Sequence, residues 1–181
     1  MPSDPAAGSR RLVLPGGADA LTADPGRVDI REVDPAGDHA RGCLLAYYDE
    51  LAQRFPGGFE VERSRDPLAA DLRRPRGAFL VALDGPLALG CVGLKGNGSE
   101  CAEIKRLWVS PRARGRGLAL RLMASAEQAA GELGVRLLRL DSHRSLHEAI
   151  ALYRGSGWTE IARFNDDPYA QVFFEKRLAG A

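Results

Sequence analysis

Between Arg114 and Ala119 the chain reads Arg-Gly-Arg-Gly-Leu-Ala, and those residue types in that order could hold a phosphate. Glycine at 115 and 117 lets the backbone take positive φ and approach a ligand closely, while the first amides of a following helix have no acceptor inside it. Such N–H groups, at the positive end of a helix dipole, make an anion site. Two frames of a basic-x-x-Gly-x-small pattern fit, one from Arg112 and one from Arg114; the second continues directly into the helix and is preferred. No Gly-Lys-Ser/Thr follows, so the turn is not a P-loop, and no third glycine stands at dinucleotide spacing after Gly117.

Other reactive residues point to less. His143 and His147 are separated as on one helix face, but nothing supplies a third ligand at fixed spacing and no metal is expected. Cys43, Cys91 and Cys101 are odd in number and lack CxxC spacing, which suggests free buried thiols in a reducing compartment. Cys91 and Cys101 fall mid-strand without a neighbouring histidine, a poor setting for a nucleophilic thiolate.

The elements that must position these residues follow from periodicity and turn chemistry. Residues 1 to 27, rich in Pro, Gly, Ala, Ser and Asp, read as a flexible leader, with Arg10 to Leu14 as a conceivable added edge strand. Val28 to Val33 alternates as a half-buried strand. Asp34 and Pro35 offer an N-cap and first residue for a helix carrying Ala40, Leu44, Tyr47, Tyr48, Leu51 and Phe55, which Pro56-Gly-Gly58 ends. A polar segment from 56 to 76, with a short helix expected over Leu68 to Arg73, is placed to form a pocket wall. Ala78 to Leu83, Leu87 to Leu94 and Cys101 to Val109 form a three-stranded meander that runs into the Arg/Gly turn. A helix with Leu118, Leu122, Ala126, Ala129 and Leu133 on one face stops at Gly134, and Val135 to Leu140 reads as a buried parallel strand. Ser145 and Glu148 read as a capping box for a helix bearing Leu146, Ala149, Ile150, Leu152 and Tyr153. Trp158 to Arg163 and Val172 to Lys176 close the chain as two strands.

The 181 residues fit one domain with an ordinary core, 45% of them hydrophobic. A net charge of +1 in mixed-sign segments argues against nucleic-acid binding. No apolar run reaches membrane-spanning length or makes a signal-peptide core, so a cytoplasmic protein is expected.

In that order of elements, Leu107 and Val109 on a strand, Arg114 to Ala119 at its end, and Glu148-Ala-Ile-Ala-Leu-Tyr153 with Gly157-Trp158 beyond it resemble the GCN5-related N-acetyltransferase (GNAT) family. The resemblance runs from about Val28 to the C-terminus and implies a single α/β domain over residues 28–181, a mixed sheet splayed between strands 4 and 5 and flanked by helices. It implies acetyl-CoA as cofactor, its pantetheine arm paired with backbone groups around Leu107, Trp108 and Val109. Its pyrophosphate would be received by the amides of Arg114, Gly115, Arg116, Gly117, Leu118 and Ala119, and Ser142, Ala149 and Tyr153 complete the implied contacts. Many relatives carry an asparagine where this chain has Leu146, so Ser142 or His143 is expected to replace that contact.

The implied activity is transfer of acetyl directly to a primary amine of an unidentified acceptor, small molecule or peptide, without a covalent enzyme intermediate. Such an amine has a reference pKa of roughly 10.4 and the departing thiol roughly 8.5, so at neutral pH removing the amine proton is the harder requirement. By the resemblance Tyr153 is the acid that protonates the leaving sulfur and Glu103 the base; His143 or a water chain are the alternatives for the second role. Alternation puts Glu103 on one face with Cys101, Lys105 and Leu107, and a backbone amide near Leu107 would polarise the thioester carbonyl. Acidic side chains in the loops, Asp166 and Asp167 beside Asn165 and Tyr169, and Glu60, Glu62, Asp66 and Asp71 after the first helix, would favour a cationic amine if they face the acceptor. A noncatalytic acyl-CoA sensor or accessory module is the other class consistent with these motifs, and homodimerisation is open.

Overall fold

The computed structural model describes residues 28–64, 69, 71–96 and 98–179, so the expected N-terminal leader and added edge strand lie outside the described residues. Seven strands form one sheet in the order β1-β2-β3-β4-β5-β7-β6. They are β1 (Asp29–Glu32), β2 (Gly77–Asp84), β3 (Leu87–Gly96), β4 (Cys101–Val109), β5 (Leu137–Ser142), β6 (Thr159–Ile161) and β7 (Val172–Arg177). All neighbours are antiparallel except β4 and β5, which are parallel and joined by helix α2 (Leu118–Glu132). A parallel pair requires such a crossover, and here the crossover carries the Arg/Gly turn.

One face of the sheet packs on α2 through Leu80, Val92, Leu94, Ile104 and Val109 against Leu118, Leu122 and Ala126. On the other face Phe79, Val81, Leu83 and Cys91 meet Ala40, Cys43 and Leu44 of helix α1 (Asp38–Arg54). Side chains of adjacent strand residues point to opposite faces, so β2 is apolar on both and reads as a continuous buried run.

Three expectations shift at element ends. Helix α1 starts later than Asp34, because the Asp34 carboxylate accepts from the Ala36 amide at 2.8 Å and its carbonyl from Gly37 at 2.8 Å, closing a separate turn; Gly37 is the N-cap. Of the short helix expected over Leu68 to Arg73, Leu68 and Ala70 are outside the described residues, Asp71 to Arg73 lie in turns and bends, and a 3-10 turn occurs at Val61–Arg63. The capping box at Ser145 is also absent. Helix α3 (His147–Gly155) is capped by Leu146 without a side-chain bond, since Ser145 is engaged with His143 and Glu148 with Arg54.

The largest departure from simple alternation is a bulge in β4. Gly93 pairs with Lys105 but Cys91 pairs with Trp108, so Arg106 and Leu107 oppose Val92 alone, and Arg106 takes φ 55°. Trp108 therefore joins Lys105 on the α1 face. Leu107 packs with the α2-side core, not on the face that holds Cys101, Glu103 and Lys105, as strict alternation would have it.

Candidate active site

β4 and β5 pair only from Cys101–Leu137 to Glu103–Arg139. Beyond that point the two strands no longer pair with each other, β4 continuing to Val109 and β5 to Ser142, and the sheet is open between them. At the end of β4 a 3-10 turn (Pro111–Ala113) leads to Gly115 at φ 75° and Gly117 at φ 74°, and α2 begins at Leu118. A Cβ at either glycine would meet nothing within 4 Å, so it is the left-handed backbone, not crowding, that calls for glycine. Gly117 is the N-cap and brings no side chain to the first-turn amides of α2, which lie beside the gap and have no acceptor within the helix. The helix thus follows the later of the two frames, the one beginning at Arg114.

The Arg114 side chain folds back: its Nε donates to the Val109 carbonyl at 2.9 Å and its guanidinium pairs with Glu50 on α1. Glu50 also accepts from the Trp108 indole at 3.0 Å and from Arg54 at 3.2 Å. Arg54 in turn donates to the Ser145 carbonyl at 2.7 Å and to Glu148 at 2.6 Å, and that bond lowers the pKa of the Glu148 carboxyl. This chain of charge-assisted bonds ties α1, the end of β4 and the start of α3 around one opening.

That opening holds two cavities. The first, about 370 Å³, is lined by Leu107, Trp108, Val109, Arg114, Gly115, Gly117, Leu118, Ala119 and Ala149, all of them expected at a cofactor, together with Leu146 and the Glu50–Arg54–Glu148 chain. Arg116 is exposed at the turn and is not among the lining residues. The second cavity, about 110 Å³, has Tyr153, Ser142, His143, Lys105 and Asp141 in its wall. Tyr47, Leu51, Leu107, Leu146 and Ala149 line both, so the cavities meet at the mouth of the splay. Leu146 itself faces the first cavity, whereas Ser142 and His143 border only the second.

Tyr153 is 5% exposed, and burial followed by the nearby Asp141 charge pushes its phenol pKa up. Its hydroxyl has no hydrogen-bond partner among the described residues. Tyr47, on α1 at the junction, is likewise held protonated, by burial first and with Asp141 and Tyr153 adding to the effect despite Arg106. Asp141 accepts from Lys105 Nζ at 2.6 Å and Asn165 Nδ2 at 2.7 Å. Burial works against the Lys105 charge, but Asp141 and then Glu103 outweigh it and the ammonium is strengthened.

Glu103 stands one strand step behind Lys105, 2.9 Å from its Nζ, and does not line either cavity. His143 stacks on Phe55 at 4.1 Å, and its Nδ1 accepts from the Ser145 amide at 3.1 Å. In the neutral ring that bond leaves the proton on Nε2, and burial lowers the pKa of the imidazole. Asp167 is 8% exposed and lines the second cavity, and Tyr169 joins it there. Glu60 meets this wall only through its backbone, Asp71 is paired with Arg76 and Lys95, and Asp66 lies outside the described residues.

Cys91 is fully buried with its thiol pKa pushed up by burial, and that of half-buried Cys101 is raised for the same reason; neither reaches a cavity. Among the described residues no group of three metal-ligating side chains comes together, and no helix is long and apolar enough to cross a membrane.

Residues 44–158 match the family model described as "Acetyltransferase (GNAT) family". An uncharacterized N-acetyltransferase of Schizosaccharomyces pombe is 32% identical over 130 residues, 69% of this chain and 80% of that one. A GNAT-family acetyltransferase from Staphylococcus aureus superposes with a TM-score of 0.72 at 15% identity, over 84% of this chain and 99% of that one. PaiA N-acetyltransferase from Thermoplasma acidophilum, solved in complex with coenzyme A, gives 0.64 at 20% identity over 83% and 99%. With a splayed parallel strand pair and a glycine-capped helix N-terminus at its opening, the chain belongs to the GNAT family of acetyltransferases.

Proposed function

We propose that the protein moves the acetyl group of acetyl-CoA directly onto a primary amine. The observation that carries this is the junction of the two cavities at Leu107, where the parallel strands have parted beside the free amides of α2. The first cavity takes the cofactor: amides from Gly115 to Ala119 receive the pyrophosphate, and the pantetheine lies along Leu107 to Val109, whose last carbonyl already accepts from Arg114. The second takes the acceptor, and the thioester carbon sits where the two meet. Because the cavities share a wall, a bound thioester is presented to a second ligand, which favours transfer over mere sensing of acyl-CoA.

In this reading the amine nitrogen attacks the thioester carbon, and the developing oxyanion is stabilised by the Leu107 amide. The tetrahedral species collapses with cleavage of the C–S bond, and Tyr153, kept protonated by burial, gives its phenolic proton to the leaving sulfur. Of the two carboxylates on the wall of the second cavity, Asp141 and Asp167, Asp141 takes the amine's proton through water; Glu103 acts at one remove, sharing Lys105 with it. The raised thiol pKa values at Cys91 and Cys101 support a route without an acetyl-thiol intermediate, and unpaired cysteines suit a cytoplasmic protein.

Thiol release from acetyl-CoA, followed against a panel of small primary amines and peptides, tests the proposal. Amine-dependent release is the expected result. Release that no amine accelerates, from protein that binds CoA, would overturn it in favour of the sensor.

A further inference from the structure

The second cavity has a composition unlike the rest of the molecule. Phe, Trp and Tyr make up 7% of the chain but a third of the residues lining this cavity. Tyr48, Phe55, Phe59, His143 and Tyr169 line the second cavity and not the first, so an aromatic wall belongs to the second cavity alone. They are also in register with one another. Tyr48 stacks on Phe59 at 5.8 Å and 19°, Phe59 meets Tyr169 at 4.7 Å, and Phe55 stands edge-on to Phe59 at 5.9 Å. Phe55 in turn carries His143 at 4.1 Å.

Three regions distant in sequence supply these rings: α1 with the loop directly after it, the segment following β5, and the segment preceding β7. The Tyr169 hydroxyl accepts from the Glu60 amide at 3.0 Å and fixes two of those segments together. Phe59, Tyr48, His143 and Tyr169 are only partly buried, so the cluster is not closed on itself and leaves ring surface facing the cavity. Offset and edge-on ring pairs are the arrangements that aromatic quadrupoles favour, and an incoming ring can join them in the same way.

From this wall we infer that the acceptor is an amine whose body is a flat aromatic ring, held against Phe59 and Tyr169 with its nitrogen directed back to the junction at Leu107. The inference rests on the acetyl-transfer reading above and names the class of acceptor it uses. A straight aliphatic amine or diamine would leave the rings in contact with water and gain little from them.

The probes are 2-phenylethylamine, 2-cyclohexylethylamine, butylamine and 1,4-diaminobutane. Two quantities are measured: kcat/KM for acetylation, and the dissociation constant of each amine for protein saturated with CoA, which does not depend on turnover. The structure predicts at least a tenfold preference, in either quantity, for 2-phenylethylamine over butylamine and 1,4-diaminobutane. It predicts a smaller preference over the puckered cyclohexyl analogue. Phe59→Leu keeps bulk but removes the ring face, and Tyr169→Phe keeps the ring but removes the bond to Glu60; the first is expected to shrink the preference ratio severalfold and the second to leave most of it.

Equal or tighter use of butylamine or 1,4-diaminobutane would overturn the aromatic acceptor while leaving acetyl transfer intact. Undetectable binding of 2-phenylethylamine to the CoA complex, or an unchanged ratio in a folded Phe59→Leu protein, would also overturn it. Selective binding without any turnover would uphold the ring site and sink the transfer reading instead.

Discussion

Replacing Gly117 with valine separates the anion site from the fold. Gly117 sits at φ 74° immediately before Leu118, and a Cβ there would meet no atom within 4 Å, so the whole cost is conformational. An L-residue in the left-handed region costs about 1–2 kcal/mol. At roughly 2–4 °C of Tm per kcal/mol for a chain of this length, the variant should melt about 2–8 °C lower and still fold. If the backbone relieves the strain by rotating toward negative φ, the amides of Leu118 and Ala119 turn away from the opening. A hydrogen bond to a charged group contributes about 1.5–3 kcal/mol. Losing one such bond to the pyrophosphate weakens CoA by roughly 10- to 150-fold. Calorimetric titration with CoA and a thermal melt measure the two effects on the same sample. Gly131→Ala is the control: it lies exposed in α2 with open space for a methyl group, and should gain about 0.5–1 kcal/mol with CoA affinity unchanged. A Gly117→Val protein that melts lower but binds CoA as the parent does would refute the assignment of the phosphate to these amides.

Three further outcomes follow from the site. Tyr153→Phe should lower kcat about 100-fold or more with the CoA dissociation constant within twofold of the parent, as expected when a proton donor is lost and packing kept; an unchanged kcat would remove Tyr153 from the mechanism. Glu50→Ala frees Arg114 and the Trp108 indole together, so CoA affinity should fall about tenfold and tryptophan emission shift to the red, whereas Glu50→Gln retains an acceptor and should lose less. Burial raises the phenol pKa values of Tyr47 and Tyr153 above the unfolded value of roughly 10. Their contribution to stability is therefore complete below that pH and declines as pH rises past it, because the unfolded chain ionises first. Alkaline titration by near-ultraviolet absorbance should show the ionisation of these two phenols coinciding with loss of the fold; their ionisation in a still-folded protein would contradict the burial argument.

What could be read from the sequence was local. The Arg/Gly turn, the αL stop at Gly134 and the three-stranded meander depend on neighbours a few residues apart, and the chain folds there as its turn residues dictate. The strand pair was legible through α2, since a parallel neighbour needs a crossover of that length. The register of β4 was not. A two-residue alternation has no signature for the residue at which an extra position is inserted, and the bulge at Arg106 moved Leu107 off the face of Glu103 and Lys105.

Polar partners were equally hidden. Glu50 and Arg54 are visible as an i,i+4 pair on α1, but nothing local shows that the same two side chains also hold Arg114, Trp108 and Glu148. Ser145 had two possible partners, and the capping box lost to His143, whose ring is fixed by stacking on Phe55. Nothing local marks Asp141, which directly follows the short apolar run ending at Leu140. Its place at the cavity comes from Lys105 and Asn165, far away in the chain.

In the proposed reaction acetyl passes straight from CoA to an amine at the junction of the two cavities. A single-turnover experiment tests it: protein in excess over acetyl-labelled acetyl-CoA, mixed with the amine panel and quenched over time. Label should disappear from the thioester and appear on the amine at the same rate, with none found on protein at any time. Label accumulating on the protein before reaching the amine, or remaining on the bound thioester with every amine, would contradict it.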